Sequence, residues 1–169
     1  GLLGKGENGE LLPVLCEYYE IMDNGLEYRF YLRNDIFWSD GRPITAQDFV
    51  TFFQELLAPQ GDDYLADGLK AVYGVSSYHK GSVPFNKVAI MSREEDELIL
   101  RLNYPYEELL EVLARPEYYL RGPIASLESL NQGYENAIYT GAFTIKEHHR
   151  SSMLLSRNPY YSDTANLFK

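Results

Sequence analysis

The sequence contains a single cysteine, only three histidines and no long apolar run. One thiol cannot form an internal disulfide, and Cys16 lies in an apolar stretch, so we expect a buried structural thiol rather than a reactive one. Without a run of about 18 apolar residues, nothing indicates a transmembrane helix. The residues that follow Gly1 also do not have the pattern of a secretion signal.

Positive charge is scarce as well. The chain has 15 Lys and Arg against 25 Asp and Glu, which gives a net charge of −10 at pH 7. A surface that binds nucleic acid or an anionic membrane presents a basic patch, and the sequence has none, so neither partner is expected. The acidity itself does not specify a substrate.

Catalytic and nucleotide-binding motifs are missing: there is no G-x-S-x-G elbow, P-loop, H-E-x-x-H helix or dinucleotide fingerprint. The acidic residues 94–97 and the pair Asp62-Asp63 would serve acid–base chemistry only if burial shifted a pKa, and we expect both to be solvated. His148 and His149 are adjacent and would point to opposite faces of a strand, which is poor geometry for a metal. The sequence therefore predicts neither an enzyme nor a bound cofactor or metal.

The composition is otherwise that of an ordinary folded protein. Its 169 residues are 45% hydrophobic, which is enough for one domain with a buried core. The 15 tyrosines are many for this length. Exposed tyrosine is common at recognition surfaces, although a role in framework packing is the more frequent reason for any single tyrosine.

Residues 28–57 contain the clearest local pattern, a strand followed by a turn and a capped helix. Asp40-Gly41 supplies the turn, because glycine accepts a positive φ and the Asp side chain can bind nearby backbone N–H groups. Thr45 and Asp48 have the spacing of a capping box, with Asp in place of Glu or Gln. One strand face consists of Tyr28, Phe30 and Leu32, and the apolar helix face of Ala46, Phe49, Val50, Phe53 and Leu57.

The rest of the chain alternates between strand and helix patterns, which predicts an α+β fold, a mixed sheet with flanking helices. Asp23-Asn24-Gly25 is typical of a hairpin turn. We expect Gly74 to Pro84 to be loop, and Pro105 to open a helix at its first position. The other predicted elements are a short helix at 65–72, a hairpin of strands 88–91 and 98–102, a short helix at 126–131, and a hairpin of strands 139–147 and 153–157.

The strand, the turn and the first residues of the helix, taken together, resemble a signature of the family 5 extracellular solute-binding proteins. This family includes oligopeptide- and dipeptide-binding proteins of ABC importers. The matching residues are Phe30, Leu32, Arg33, Trp38, Ser39, Asp40, Gly41, Pro43, Thr45, Ala46, Asp48 and Phe49. We expect structural roles for them in the turn and the cap, because a motif can identify a family without forming its binding site.

Three later segments resemble the same family in the same order. Residues 97–106 are similar to its strand followed by a proline pair. Residues 140–143 are similar to its T-G-P-[YF] segment, with Ala142 in place of the usual proline. Residues 155–161 are similar to its L-x-R-N-P-x-Y-W segment, with Ser162 in place of the aromatic residue.

The resemblance implies that the chain is part of a periplasmic-binding-protein type II fold. The two lobes of this fold close around a ligand and do not change it chemically. It implies the substrate-binding component of an ABC importer, with short peptides and the importer membrane subunits as partners. The implied location is the periplasm or the outside of the cytoplasmic membrane, where some family members are anchored as lipoproteins.

Because family members are several times longer and begin with a secretion signal, we expect an N-terminal fragment of an exported protein. Residues 20–137 would form a smaller adjoining domain, and residues 1–19 and 138–169 part of the first lobe. The fragment alone is expected to bind ligand weakly or not at all.

Ligand contact is expected in loops rather than in the signature. The resemblance implies that Tyr64 is a ligand-binding residue, because a tyrosine in the corresponding place contacts the peptide in peptide-binding relatives. A tyrosine suits this role, since its ring can cover a peptide and its OH can bind a peptide group, although framework packing is the alternative. Tyr73 and Tyr78 lie in the same region but have no motif to support them.

Two alternative functions are consistent with the same residues. One is a protein-interaction or adhesion module on the cell surface that keeps the fold without transport. The other is the same receptor with a non-peptide ligand, such as a nickel chelate, haem or a sugar.

Overall fold

Antiparallel strand pairs form the framework of the computed structural model, which describes residues 1–122, 137–149 and 152–162. The predicted helix at 126–131 lies outside these residues. A four-stranded sheet is flanked by two separate two-stranded hairpins. The strands are β1 (Leu3–Lys5), β2 (Leu11–Pro13), β3 (Cys16–Met22), β4 (Glu27–Leu32), β5 (Ile90–Ser92), β6 (Glu97–Arg101), β7 (Phe143–His149) and β8 (Ser152–Arg157).

The four-stranded sheet has the order β3-β4-β6-β5, so β4 is an inner strand. Tyr28, Phe30 and Leu32 are buried, as their alternation predicted. In the register of β4 and β6, Tyr28 lies opposite Leu100, and Phe30 lies opposite Leu98. The predicted α+β class is confirmed, and the core is built on one face of this sheet.

The turn between β3 and β4 is confirmed at Asp23–Gly25. All three residues have positive φ, and Asn and Asp tolerate this region better than most non-glycine residues. Strand β3, which precedes the turn, lies at the edge of the sheet, and its residues after Cys16 are exposed apart from the half-buried Tyr19. The exposed residues include Tyr18, Ile21 and Met22.

Helix α1 (Ala46–Leu56) packs against β5 and β6. The predicted capping box is present: Asp48 Oδ2 accepts a hydrogen bond from the Thr45 N–H at 2.8 Å. The buried face is wider than predicted, because Phe52 and Leu56 are buried while Val50 is only half-buried. The Arg121 guanidinium lies over the Phe52 ring, 5.2 Å from its centre. The periodicity of the helix does not reveal this contact.

Two predictions about helices are wrong. Helix α3 (Val75–His79) lies in the segment predicted as loop, because Gly74 turns the chain with a φ of +84° and Val75 is fully buried. Helix α4 (Leu109–Leu113) begins at Leu109 and not at Pro105, since the buried leucines start only there. The predicted short helix is present as α2 (Asp63–Gly68), two residues earlier than expected. No helix in the described ranges is long and apolar enough to cross a membrane.

Glu97 departs from the expectation of a solvated acidic turn. It is the first residue of β6 and only 6% exposed, whereas residues 94–96 are exposed as predicted. Pairing with β4 places Glu97 opposite Tyr31, with its Oε1 at 3.7 Å from Arg29 Nη1 and from Arg93 Nη1. The pairing of β6 with β4 therefore buries one of the four carboxylates of residues 94–97.

The predicted second hairpin is confirmed as β7 and β8, but β7 begins at Phe143 instead of Tyr139. The backbone of Tyr139 binds the signature turn: its carbonyl accepts from the Ser39 N–H at 2.9 Å, and its N–H donates to Ser39 Oγ at 3.0 Å. Several apolar side chains of this hairpin are exposed, namely Phe143, Met153, Leu154 and Leu155.

Candidate functional site

The W-S-D-G signature is a structural turn, as predicted. Trp38 is 2% exposed, and its backbone N–H donates to the Arg42 carbonyl at 2.8 Å. Gly41 has a φ of +86°, which glycine adopts without strain. Asp40 accepts from the Arg42 N–H at 3.1 Å and from Arg42 Nε at 2.8 Å. These residues therefore stabilise the turn itself.

The end of β4 is linked to the C-terminal part of the chain through Asp35. Its carboxylate accepts from Arg33 Nε at 2.8 Å and from Ser162 Oγ at 2.6 Å. The Arg33 hydrogen bond, helped by Ser162, lowers the pKa of Asp35 to about 2. At Ser162 the resemblance implies an aromatic residue, and in this chain the serine hydroxyl makes a hydrogen bond to Asp35.

An open groove of about 630 Å³ lies between this region and the turn that precedes β6. It is lined by Arg33, Asn34, Ile36, Pro43, Ile44, Thr45, Glu94, Glu95 and Asp96. Its carboxylates are exposed on the turn and do not converge. Nowhere in the described residues do three His, Cys, Asp or Glu side chains come together as metal ligands.

Cys16 is buried, as expected. Its thiol donates to the Leu2 carbonyl at 3.2 Å. Burial raises the pKa of the thiol to about 12, so the nucleophilic thiolate is not populated at neutral pH.

Tyr64, the residue predicted to contact ligand, lies in the first turn of α2 and is 60% exposed. The helix starts at this point because Asp62 acts as N-cap, its Oδ1 accepting from the Tyr64 N–H at 2.8 Å. The ring is thus held at the surface by a fixed backbone, and it is not packed into the core.

Arg115 is the neighbour of the Tyr64 side chain. Its Nη1 donates to the Tyr64 hydroxyl at 3.2 Å, although 51 residues separate the two in sequence. No local pattern in the sequence indicates this pairing. It arises because the segment after α4 packs on α2, where the Tyr118 hydroxyl donates to the Leu65 carbonyl at 2.9 Å.

Helix α2 is also held by His79, at the end of α3. Its Nε2 lies 2.8 Å from Asp63 Oδ1, and its Nδ1 lies 3.3 Å from the Leu57 carbonyl. Both partners are acceptors, so both ring nitrogens donate only in the imidazolium form. The hydrogen bond to Asp63 is the main reason that the pKa of His79 is raised.

The two weaker tyrosine candidates differ from each other. Tyr73 is exposed beside an open pocket of about 220 Å³. Tyr78 has a framework position, because its hydroxyl donates to the Gln54 carbonyl at 3.1 Å and its ring lies 5.0 Å from that of Phe85.

A family model described as "Bacterial extracellular solute-binding proteins, family 5 Middle" matches residues 10–169. The chain is 28% identical to a probable deoxycholate-binding periplasmic protein of Escherichia coli over 171 aligned residues, which cover 96% of this chain and 31% of that protein. It is also 28% identical to the periplasmic oligopeptide-binding protein of Escherichia coli, with 98% and 31% covered.

The fold is also found among solved structures. The substrate-binding domain of an oligopeptide ABC transporter from Bacillus anthracis superimposes with a TM-score of 0.86 at 25% identity, over 98% of this chain and 33% of that one. The chain thus spans about a third of the length of the relatives that it matches.

Proposed function

This chain belongs to the family 5 bacterial extracellular solute-binding proteins, and we propose that it is part of a receptor that captures short peptides for an ABC importer. The family match over residues 10–169 carries the proposal. Relatives named for oligopeptide binding align with nearly the whole chain and support the same substrate class. The protein would hold its ligand without chemical change.

The proposed partners are short peptides and the membrane subunits of the importer. The proposed location is the periplasm or the outer side of the cytoplasmic membrane. Two of the matched relatives are named as periplasmic proteins, which supports a place in the cell envelope.

We further propose that residues 20–137 form the smaller adjoining domain and that residues 1–19 and 138–169 belong to the first lobe. The contacts of Ser39 with Tyr139 and of Asp35 with Ser162 would then join the two parts. Residue 20 lies inside β3, so the chain would pass between the parts within a strand and not through a separate linker.

Tyr64 is proposed to contact the bound peptide. Its exposure and its position on a capped helix support this role. In addition, its hydroxyl accepts a hydrogen bond from Arg115 and keeps its own proton to donate to a ligand oxygen.

Native mass spectrometry of the full-length gene product, purified gently from its own envelope, tests the proposal. We expect added masses that fit a set of short peptides. A bare protein mass that a peptide library leaves unchanged would contradict the proposal and favour a protein-interaction module.

A second candidate is a receptor for a non-peptide ligand. The observation that favours it is the relative named as probable deoxycholate-binding, which is as similar in sequence as the oligopeptide-binding one. A single discrete added mass in the same experiment, or binding of deoxycholate without binding of peptides, would select this candidate.

A further inference from the structure

Arg115 differs from most other described arginines because its hydrogen-bond partner is a neutral hydroxyl and not a carboxylate. Its guanidinium donates to the Tyr64 hydroxyl, and it takes part in none of the ion pairs identified among the described residues. In contrast, arginines that pair with a described carboxylate include Arg29, Arg33, Arg42, Arg93 and Arg101. In a chain with a net charge of −10, acidic groups are abundant, yet none in the described residues neutralises Arg115.

The position of this guanidinium is fixed by the backbone on either side. The Arg115 N–H donates to the Val112 carbonyl at 3.0 Å, and the Arg115 carbonyl accepts from the Tyr118 N–H at 3.0 Å. Tyr118 is buried, and its hydroxyl binds the Leu65 carbonyl at 2.9 Å. At Gly68 a Cβ would collide with that hydroxyl, so α2 lies directly against Tyr118. Arg115 and Tyr64 are therefore presented side by side by two elements that are packed together.

The two side chains combine into a pair of donors. A guanidinium has five N–H donors, of which the Tyr64 hydroxyl takes one, and the phenol O–H remains free to donate. A carboxylate has two oxygens that only accept, and it binds arginine in a charge-assisted geometry that a neutral amide cannot match. Among the described residues these remaining donors have no hydrogen-bond partner and the charge has no ion-pair partner, so the pair matches an anionic group of this shape.

We propose that Arg115 and Tyr64 form a subsite for a carboxylate of the bound peptide, an inference that rests on the proposed peptide-binding function. The carboxylate comes either from the peptide C-terminus or from an Asp or Glu side chain. Peptides that place this group at the subsite bind better than their neutral counterparts.

Isothermal titration calorimetry on the full-length gene product tests the subsite with defined tetra-alanine peptides. Asp is compared with Asn at each position, and a free C-terminal acid is compared with the amide, which separates the two sources of the carboxylate. In the wild type, we expect neutralisation at one position to weaken binding about tenfold. In Arg115→Gln this difference should shrink to less than about twofold, and Arg115→Lys should keep part of it because the charge remains.

Lys146→Gln provides the matched control, because it also removes one positive charge from an exposed position, on β7. It should keep the full preference for acid over amide. Thermal unfolding of each variant shows whether the fold is retained. Peptide binding without any preference for acid, or a preference that survives in Arg115→Gln, would overturn the subsite and leave the proposed function standing. Failure of the wild type to bind any peptide would overturn the proposed function itself.

Discussion

Glu27 is a buried carboxylate held by two arginines at the start of β4. Its oxygens accept from Arg29 Nε and from Arg101 Nε, each at 2.6 Å. The hydrogen bond from Arg29 is the main reason that the pKa of Glu27 is lowered. Since a carboxylate with a lowered pKa stabilises the folded state, this contribution is present above the unfolded pKa of about 4.3 and is lost as the pH falls through the folded value.

We expect Glu27→Gln to lower the free energy of unfolding by about 1–3 kcal/mol, because it weakens two charge-assisted hydrogen bonds and leaves Arg29 without its nearest carboxylate. Urea unfolding at pH 7 measures the effect. Glu94→Gln, at an exposed position of the turn that precedes β6, should change stability by less than about 0.5 kcal/mol. Equal effects of the two variants would contradict the structural role of Glu27.

The buried thiol of Cys16 gives a second prediction for a single residue. With its pKa raised to about 12, the folded protein should react very slowly with a thiol reagent such as 5,5′-dithiobis(2-nitrobenzoic acid) at pH 8. In guanidinium chloride one thiol should react at once. Fast reaction of the folded protein would mean that Cys16 is accessible.

Among the elements, α1 depends on its cap. Thr45→Ala removes the N-cap side chain and should lower the free energy of unfolding by about 0.5–2 kcal/mol. Thr51→Ala is the matched control, because Thr51 is exposed in the helix interior, where alanine has the higher helix propensity, so stability should be unchanged or slightly raised. Chemical unfolding of both variants measures the two opposite effects.

The contact between α2 and α3 depends on pH through His79 and Asp63. The raised pKa of His79 means that its stabilising contribution is complete below the unfolded value of about 6.5 and is lost as the pH rises through the folded value. We therefore expect amide exchange in α2 to become faster, beyond its intrinsic pH dependence, as the pH rises above this range. Hydrogen exchange followed by NMR measures this change.

His79→Gln removes the titrating group and should abolish that additional pH dependence. Titration of the His79 imidazole, followed by its ring resonances, should give a pKa above that of an unfolded histidine. A normal or lowered pKa would show that the bond to Asp63 is not formed in solution.

On the scale of the whole molecule, the exposed hairpin of β7 and β8 is the main departure from a well-covered surface. Two strands alone are only marginally stable in water, and this pair exposes apolar side chains. We expect the 169-residue chain to self-associate at high concentration through this hairpin. The double variant Met153→Ser/Leu155→Ser should reduce association in analytical ultracentrifugation, whereas Ile21→Ser, on the exposed edge of β3, should reduce it less. The reverse order would place the association at β3.

Local chemistry accounts for the parts that the sequence predicted correctly. The alternation in β4, the turn at Asp40-Gly41 and the capping box of Thr45 and Asp48 depend on neighbouring residues only. The late start of α4 and the extra helix α3 were not predicted, because burial of Leu109 and of Val75 by distant segments outweighed local propensity.

The sequence by itself determined the family and the strand, turn and helix of the signature, and it singled out Tyr64 as a candidate for ligand contact. Only the tertiary structure decided the surroundings of that tyrosine, since Arg115 and His79 approach α2 from distant parts of the chain. It also removed Glu97 from water through strand pairing. The physical reason is the same in each case: charges and hydrogen-bond partners are set by proximity in space, and a local pattern carries no information about contacts that the packing of separate elements creates.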